Sequence, residues 1–310
     1  MSESLQELRV RVPAKINLYL QVLGRRADGY HEVRTVMQAV DLCDELEVGL
    51  RSDRRLELSC TDPDLPTDRR NLVMRAAHRL RERFGQEGGA DVRLLKRIPV
   101  EGGLGGGSAD GALALCALTE LWGLDAGRED LEGLAAGLGS DVAFFLHGGT
   151  ALCTGRGQRV RPLECPGVFH YVLIMPQTAV STAEAYHAVG GGLTSRPDTS
   201  TKVVGAVKEA APGRLGRALR NDLQGVVLEL DEDLAGLSRR LDELREESGI
   251  ERFLLSGSGA CFFGLARGRR AAREAADTLE AALGVPCVAA QSVPAWEFDL
   301  GMLTLRRRHL

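Results

Sequence analysis

The chain has 310 residues, 44% of them hydrophobic and 26% charged, which is ordinary for a globular protein and excludes a disordered or collagen-like chain. Its 39 basic and 43 acidic residues give a net charge of −4, so no overall positive field attracts nucleic acid or anionic lipid. An anionic ligand therefore needs a local positive site. At about 150 residues per domain, the length predicts two domains.

The cysteines and the N-terminal segment indicate a cytoplasmic chain. Seven cysteines, an odd number with no CxxC spacing, argue against a disulfide framework and a structural zinc site and predict reduced thiols. The first residues, MSESLQELRV, lack the basic and apolar regions of a signal peptide. No run of about 18 apolar residues predicts a membrane span. We expect neither a membrane nor a nucleic acid as partner.

The first half of the chain predicts strands, a turn and then helices. Alternation and β-branched residues predict strands over 8–12, 16–23, 33–40, 46–50, 56–60 and 92–96, with a turn within GRRADGYHE. Apolar residues at helical spacing predict helices over 72–84, 109–122 and 129–138.

The second half predicts a mixed α+β lobe. Residues 155–166 are polar and predict a linker between two lobes. Residues 189–212 predict a solvated loop, with a lid over a ligand site as the alternative. Strands are expected over 171–175, 253–255, 261–265 and 285–290, with helices over 181–187, 234–247 and 271–283.

A glycine-rich segment between a predicted strand and a predicted helix is the strongest functional feature. It reads Glu101-Gly-Gly-Leu-Gly-Gly-Gly-Ser108. Glycine permits positive φ angles and a close approach of backbone N–H groups to a ligand. A helix N-terminus adds unpaired donors and a positive dipole end. The segment lacks the Walker A pattern and predicts a different phosphate-binding loop, with a flexible turn as the alternative.

Four further segments carry candidate functional side chains, each with a purely structural alternative. Lys15 and Asn17 share one face of a predicted strand, where an edge lysine is equally common. Asp141 precedes an apolar helix, as an ordinary N-terminal cap does. Tyr30 and His31 lie in a turn-rich break. The segment SGSG, at residues 256–259, is also compatible with a simple hairpin turn.

Together, these segments resemble the GHMP small-molecule kinase superfamily. The motifs are PAKIN, PxxxGLGGGSA, GSD and SGSGA, in that order, and the resemblance covers about residues 10–265. It implies a two-lobed α+β fold, with an N-terminal α/β lobe over 1–160 and a C-terminal ferredoxin-like α+β lobe over 161–310. It also implies ATP and Mg²⁺ as cofactors of an alcohol phosphotransferase.

The segments PAKINLYLQVLGRRADGYHEVRTVMQ and KRIPVEGGLGGGSADGA give a narrower resemblance. They are similar to superfamily members that phosphorylate the 2-hydroxyl of a cytidine diphosphate-linked methylerythritol on the non-mevalonate route to isoprenoid precursors. That acceptor is the expected small-molecule partner. The protein is expected to be a monomer or a homodimer. The resemblance implies that Mg²⁺ binds through phosphate oxygens of the nucleotide, with Ser108 as the one candidate protein ligand and no other metal-ligating residue assigned.

The resemblance also implies residue roles. Lys15 and Asp141 match the catalytic pair, and Asn17, Tyr30 and His31 match positions that contact the substrate. The expected ATP-binding residues are Pro99, Val100, Glu101, Gly102, Gly103, Leu104, Gly105, Gly106, Gly107, Ser108 and Ala109. The candidate closing loop consists of Ser256, Gly257, Ser258 and Gly259.

Two other functions stay open at this point. A GHMP kinase for another alcohol, such as homoserine or mevalonate, would share the glycine loop and the catalytic pair, but has no need of Tyr30 and His31. A catalytically silent, ligand-binding relative would need only binding groups. The presence of both Lys15 and Asp141 argues against the silent relative.

Overall fold

Two long antiparallel strands organise the molecule, whose computed structural model describes residues 5–189, 197–296 and 304–309. Strands β1 (Leu5–Arg25) and β2 (His31–Arg51) pair along almost their full length around a turn at residues 26–30. The sequence predicted each of them as two shorter strands. Pairing continues through irregularities near Pro13 and Asn17, where the register shifts but the strands do not separate.

Strands β1 and β2 belong to an eight-stranded sheet, the first sheet. The others are β3 (Leu56–Cys60), β4 (Gly89–Leu95), β5 (Thr150–Gly155), β6 (Arg159–Leu163), β8 (Arg220–Asn221) and β12 (Thr304–His309). The main order is β12-β1-β2-β4-β3, while β5 pairs with β2 and β6, and β8 pairs with β1. Both β8 and β12 come from the second half of the chain, so the two halves are joined in one sheet.

Four helices accompany the first sheet: α1 (Leu72–Phe84), α2 (Gly106–Leu121), α3 (Arg128–Ala136) and α4 (Val142–His147). Helix α2 is buried on nearly all sides, because its small and apolar residues allow contact with β1, β2, α1 and α4. Its N-terminus is therefore held firmly at the end of the glycine-rich segment.

The second sheet is antiparallel and four-stranded. It contains β7 (His170–Ile174), β9 (Phe253–Leu255), β10 (Phe262–Ala266) and β11 (Cys287–Gln291), in the order β11-β7-β10-β9. The strand order and the βαββαβ succession are those of a ferredoxin-like lobe. Along β7, Tyr171 and Leu173 pack toward β1, while Val172 and Ile174 pack toward the helices on the opposite face.

In the described part of the second half, the chain forms seven helices. They are α5 (Thr182–Ala188), α6 (Ser200–Lys208), α7 (Pro212–Ala218), α8 (Leu223–Leu230), α9 (Glu232–Glu243), α10 (Arg245–Ser248) and α11 (Arg269–Leu283). Helix α11 contacts β7, β10 and β11, which closes the apolar face of the second sheet. Within the described ranges, no helix combines the length and the apolar character needed to cross a bilayer.

Two predicted segments differ from the structure. Residues 155–166 are not a linker, because β6 pairs with β5 in a hairpin that buries Leu163. The predicted loop 189–212 contains α6, whose Val203, Ala206 and Val207 are buried at helical spacing. The side chain of Asp198 accepts a hydrogen bond from the Ser200 N–H and stabilises the start of that helix. The remainder of that prediction includes residues 190–196, which lie outside the described residues.

The prediction of reduced cysteines is confirmed. All seven cysteines are free, and five of them are buried. Burial raises the pKa of the Cys261 thiol to about 12, and it raises the pKa of Cys43 to about 11. These side chains therefore act as small apolar groups in the core.

Candidate active site

One cavity of about 1020 Å³ brings most of the predicted site residues together. Lys15, Asn17, Asp141, Tyr30 and His31 all line it, and so does most of the glycine-rich segment. Four predicted residues do not line this cavity: Leu104, Ala109, Ser256 and Gly259. The first two have fully buried side chains, so they support the segment from the core.

Lys15 and Asp141 form an ion pair in this cavity. The Lys15 ammonium lies 3.4 Å from a carboxylate oxygen of Asp141, and it donates a 2.7 Å hydrogen bond to Asn17 Oδ1. Asn17 in turn donates to Thr35 Oγ1 on β2, which fixes the amide orientation. Lys15 is 4% exposed, whereas Asp141 is 29% exposed. The pair therefore has a fixed cation from β1 and an accessible carboxylate at the start of α4.

The glycine-rich segment presents backbone donors to the same cavity. Gly105 caps α2 with φ 72° and offers no side chain to its first N–H groups, which leaves them available to an anion. Gly103 and Glu101 also have positive φ angles, which is uncommon for a residue with a side chain such as Glu101. A Cβ placed on Gly107 meets no atom within 4 Å, so this residue opens into the cavity.

The turn formed by residues 256–259, the closing turn, lies between the glycine-rich segment and Lys15. Ser256 Oγ donates a 2.9 Å hydrogen bond to the Gly103 carbonyl oxygen. A Cβ placed on Gly257 would lie 3.3 Å from both Lys15 Nζ and Asn17 Oδ1. The closing turn therefore joins the second lobe to the glycine-rich segment and to the ion pair.

Aromatic and basic side chains form another wall of the cavity. Tyr30 is 53% exposed, and the Arg156 guanidinium lies 4.4 Å from its ring centroid. His31 stacks on Tyr186, with 5.3 Å between ring centroids. Burial, followed by the charges of Arg25 and other neighbours, lowers the pKa of His31, so its imidazole is neutral at pH 7. Burial raises the pKa of Tyr186, which keeps its hydroxyl protonated.

A buried charge cluster supports the glycine-rich segment from below. The Lys96 ammonium bonds to Asp44 and, at 2.9 Å, to Asp110, and all three side chains are more than nine-tenths buried. Asp44 also accepts hydrogen bonds from the backbone N–H groups of Arg97 and Ile98, which lie just before the glycine-rich segment. Burial, with the charge of Asp44, raises the pKa of Asp110 despite the opposing effect of Lys96.

Sequence reasoning missed several residues of this cavity. Tyr186, His187 and Thr182 belong to α5, which was predicted as a helix without a functional role. Arg156 lay in the predicted linker, and the pairing of β5 with β2, in which Gly155 lies opposite Val33, brings it to Tyr30. An aromatic side chain on a short, polar helix was the available indication for Tyr186. Nothing local indicated Arg156.

Family comparisons agree with both halves of this architecture. The profile described as "GHMP kinases N terminal domain" matches residues 71–149, and the one described as "GHMP kinases C terminal" matches residues 203–284. The two matches cover more than half of the chain. The predicted GHMP resemblance and its two-lobed fold are confirmed, while the exact boundary at residue 160 stays a prediction.

Curated relatives and solved structures show which GHMP kinases are similar to this chain over most of its length. The 4-diphosphocytidyl-2-C-methyl-D-erythritol kinase of Pelotomaculum thermopropionicum is 43% identical over 264 residues, covering 85% of this chain and 90% of the relative. The enzyme of the same name from Mycolicibacterium gilvum is 43% identical over 263 residues, covering 82% of this chain and 80% of the relative.

A crystal structure of 4-(cytidine 5'-diphospho)-2C-methyl-D-erythritol kinase superposes with a TM-score of 0.74 at 35% identity, covering 92% of this chain and 98% of that one. Homoserine kinase from Cytophaga hutchinsonii has a TM-score of 0.72 at 20% identity, covering 96% and 98% of the two chains, and supports the fold alone. The chain belongs to the 4-diphosphocytidyl-2-C-methyl-D-erythritol kinase family of the GHMP kinases.

Proposed function

We propose that this protein transfers the γ-phosphoryl group of ATP to the 2-hydroxyl of 4-diphosphocytidyl-2-C-methyl-D-erythritol, on the non-mevalonate route to isoprenoid precursors. The observation that carries the proposal is the Lys15–Asp141 ion pair in a cavity with backbone donors on one wall and aromatic side chains on another. An anionic phosphate donor fits the first wall, and a base-containing acceptor fits the second.

The ion pair supplies the groups that the transfer requires. The acceptor oxygen attacks the γ-phosphorus, an oxygen–phosphorus bond forms, and the bond to the β,γ-bridging oxygen breaks as ADP leaves. Asp141, the more exposed member, accepts the proton of the hydroxyl. Lys15 holds the hydroxyl and stabilises the developing negative charge. Because Asn17 fixes the ammonium, this stabilisation needs little rearrangement.

The nucleotide is assigned to the glycine-rich segment, with its phosphates near Gly107 and the N-terminus of α2. Mg²⁺ accompanies the nucleotide and neutralises phosphate charge when it is bound. In the described part of the chain, no three His, Cys, Asp or Glu side chains form a metal site of their own. The cavity-lining hydroxyl of Ser108 is a suitable oxygen ligand and would hold the ion together with the phosphate oxygens of the nucleotide.

The cytidine part of the acceptor is assigned to the aromatic wall. Tyr30 offers a ring face for stacking, and the neutral His31 offers one donor and one acceptor for a base edge. Arg25 and Arg156 line the same wall and provide the local positive charge that a diphosphate requires in a chain of net charge −4.

An acceptor panel tests this function. Purified protein is incubated with ATP, Mg²⁺ and one alcohol, and phosphorus NMR follows a new phosphate monoester together with ADP. We expect product with the cytidine diphosphate-linked alcohol and almost none with free methylerythritol, homoserine or mevalonate. Equal rates with and without the cytidine diphosphate group would contradict the assignment of Tyr30 and His31.

A further inference from the structure

Asn221 lies beside the strand that carries Lys15, although it is distant from that lysine in sequence. Strand β8 pairs in parallel with β1, with Asn221 opposite Leu20. The next N–H, that of Asp222, donates to the Leu20 carbonyl oxygen at 2.9 Å. The backbone of Asn221 is thus fixed relative to the first sheet and to its catalytic side chain.

The side chain of Asn221 spans the start of the closing turn. Its Nδ2 group donates to the carbonyl oxygens of Leu255, at 2.8 Å, and Gly257, at 2.7 Å. Its Oδ1 atom accepts from the Leu223 N–H at 2.9 Å, and the residue is 8% exposed. Both the Nδ2 group and the Oδ1 atom of the amide are therefore hydrogen-bonded. A carboxylate in its place would have no N–H group to donate to the two carbonyl oxygens.

The hydrogen bond from Asn221 to the Gly257 carbonyl oxygen holds a residue that lies beside Lys15. Gly257 lies against Lys15 and Asn17, at a distance where a Cβ would be 3.3 Å from a polar atom of each. A displacement of Gly257 away from the first sheet would open space beside the ammonium. A displacement of Gly257 toward the first sheet would crowd the Lys15 ammonium, which lies 3.4 Å from the Asp141 carboxylate.

We infer that Asn221 is a positioning residue for phosphoryl transfer. It holds the closing turn against Lys15 and thereby fixes the distance between the ammonium and the acceptor hydroxyl. This inference rests on the proposed function, because it gives Lys15 a role in the transfer. Asn221 itself touches neither substrate, so its effect is expected in kcat and less in the binding of either substrate.

Two substitutions test the inference. Asn221→Asp keeps the size of the side chain and the acceptor for Leu223 but removes both donors, and Asn221→Ala removes the whole amide. We expect kcat to fall about 10- to 100-fold in both, the range for a displacement near 1 Å in an active site. The affinity for ATP, measured by calorimetry, should change much less than kcat.

Gln224 provides a matched control. Its Oε1 atom accepts a 2.9 Å hydrogen bond from the N–H of Leu255, the last residue of β9. Gln224 thus contacts the strand before the closing turn, whereas Asn221 also bonds to Gly257 within the turn. Gln224→Ala removes one hydrogen bond to β9, whereas Asn221→Ala removes three hydrogen bonds, so Gln224→Ala should lower the melting temperature by a smaller amount and leave kcat near the wild-type value. A kcat that falls equally in both variants would overturn the positioning role.

The remaining outcomes also decide the question. Full kcat in folded Asn221→Asp and Asn221→Ala would overturn the inference while the wild-type activity leaves the proposed function intact. Failure of both Asn221 variants to fold, with Gln224→Ala folded, would assign Asn221 a purely structural role and likewise overturn it. An inactive wild-type protein, tested with the acceptor panel, would instead refute the proposed function.

Discussion

Asp141 is the residue on which the proposed chemistry depends most directly. Asp141→Asn is nearly isosteric, and we expect it to abolish turnover, because an amide cannot accept the hydroxyl proton. The affinity for ATP should stay within a few-fold of wild type, since the nucleotide is assigned to backbone donors of another wall. Steady-state kinetics and calorimetry measure the two effects separately. Near-normal turnover would contradict the catalytic assignment.

Substitution of Lys15 is expected to lower both turnover and the affinity for the acceptor. Lys15→Met keeps an apolar chain of similar length but removes the charge beside Asp141 and the donor to Asn17. We expect turnover to fall as in Asp141→Asn, and the acceptor to bind more weakly as well. A melting temperature close to that of the wild type is the control for folding. Unchanged acceptor binding would show that Lys15 does not hold the hydroxyl.

Tyr30 is expected to determine acceptor affinity through its ring face. Tyr30→Ala should weaken acceptor binding by about 1–3 kcal/mol, the usual value for one base–aromatic stack, and Tyr30→Phe should be nearly neutral. The Arg156 guanidinium lies over the same ring, so a stacked base displaces it or uses the opposite face. His31→Ala should reduce discrimination between cytidine and uridine analogues, because a hydrogen bond to the base edge distinguishes them.

Titration calorimetry with acceptor and with ATP measures these effects. The affinity for ATP should be unchanged in all three variants. Loss of ATP binding with retained cytidine preference would move Tyr30 and His31 to the nucleotide donor.

At the scale of elements, two adjacent glycines at the start of α2 are expected to respond differently to substitution. A Cβ on Gly106 would face Ile98 and Lys96, at 3.0 and 3.1 Å, whereas a Cβ on Gly107 meets open cavity. Gly107→Val should therefore obstruct the phosphates and weaken ATP binding with little change in melting temperature. Gly106→Val should mainly lower the melting temperature, because its side chain enters the packed interior.

Calorimetry and thermal unfolding on both variants check this contrast. ATP affinity that survives in Gly107→Val would show that the segment has a structural role only. A linear pattern does not tell which of the two glycines has room for a side chain, and only the packing around them separates their roles.

At the scale of the whole molecule, the Asp44–Lys96–Asp110 cluster couples stability to pH. The pKa of Asp110 is raised by burial and then by Asp44, so the folded state binds a proton more tightly than the unfolded state does. Stability therefore falls as the pH rises above the ordinary carboxyl value of 3.8 and through the raised value. Neighbouring carboxylates outweigh burial and raise the pKa of Lys96, so its charge does not change near neutral pH.

Asp110→Asn removes this titration while keeping an acceptor for Lys96. We expect the free energy of unfolding of the variant, relative to that of the wild type, to increase from pH 5 to pH 8. Urea unfolding at both pH values measures the difference, and the titrating groups outside the Asp44–Lys96–Asp110 cluster cancel in the comparison. A difference that is constant with pH would contradict the raised pKa.

The sequence by itself determined the local features of this protein. Periodicity located most of the strands and helices, because alternation and helical spacing are properties of neighbouring residues. The glycine-rich segment and the positions of Lys15 and Asp141 also follow from short motifs, and their resemblance to GHMP kinases identified the family. The alternation of apolar and polar residues is interrupted within β1 and within β2, so the sequence predicted each as two shorter strands. In the structure, hydrogen bonding between the two strands continues across these irregular residues.

Only the tertiary structure decided which distant residues meet. Arg156, predicted to lie in a linker, reaches Tyr30 because β5 pairs with β2, and Asn221 reaches the closing turn because β8 pairs with β1. Neither residue has a distinctive local pattern. Their roles depend on strand pairing over more than a hundred residues of sequence, and the free energy of such contacts comes from packing and buried hydrogen bonds that form only in the folded chain.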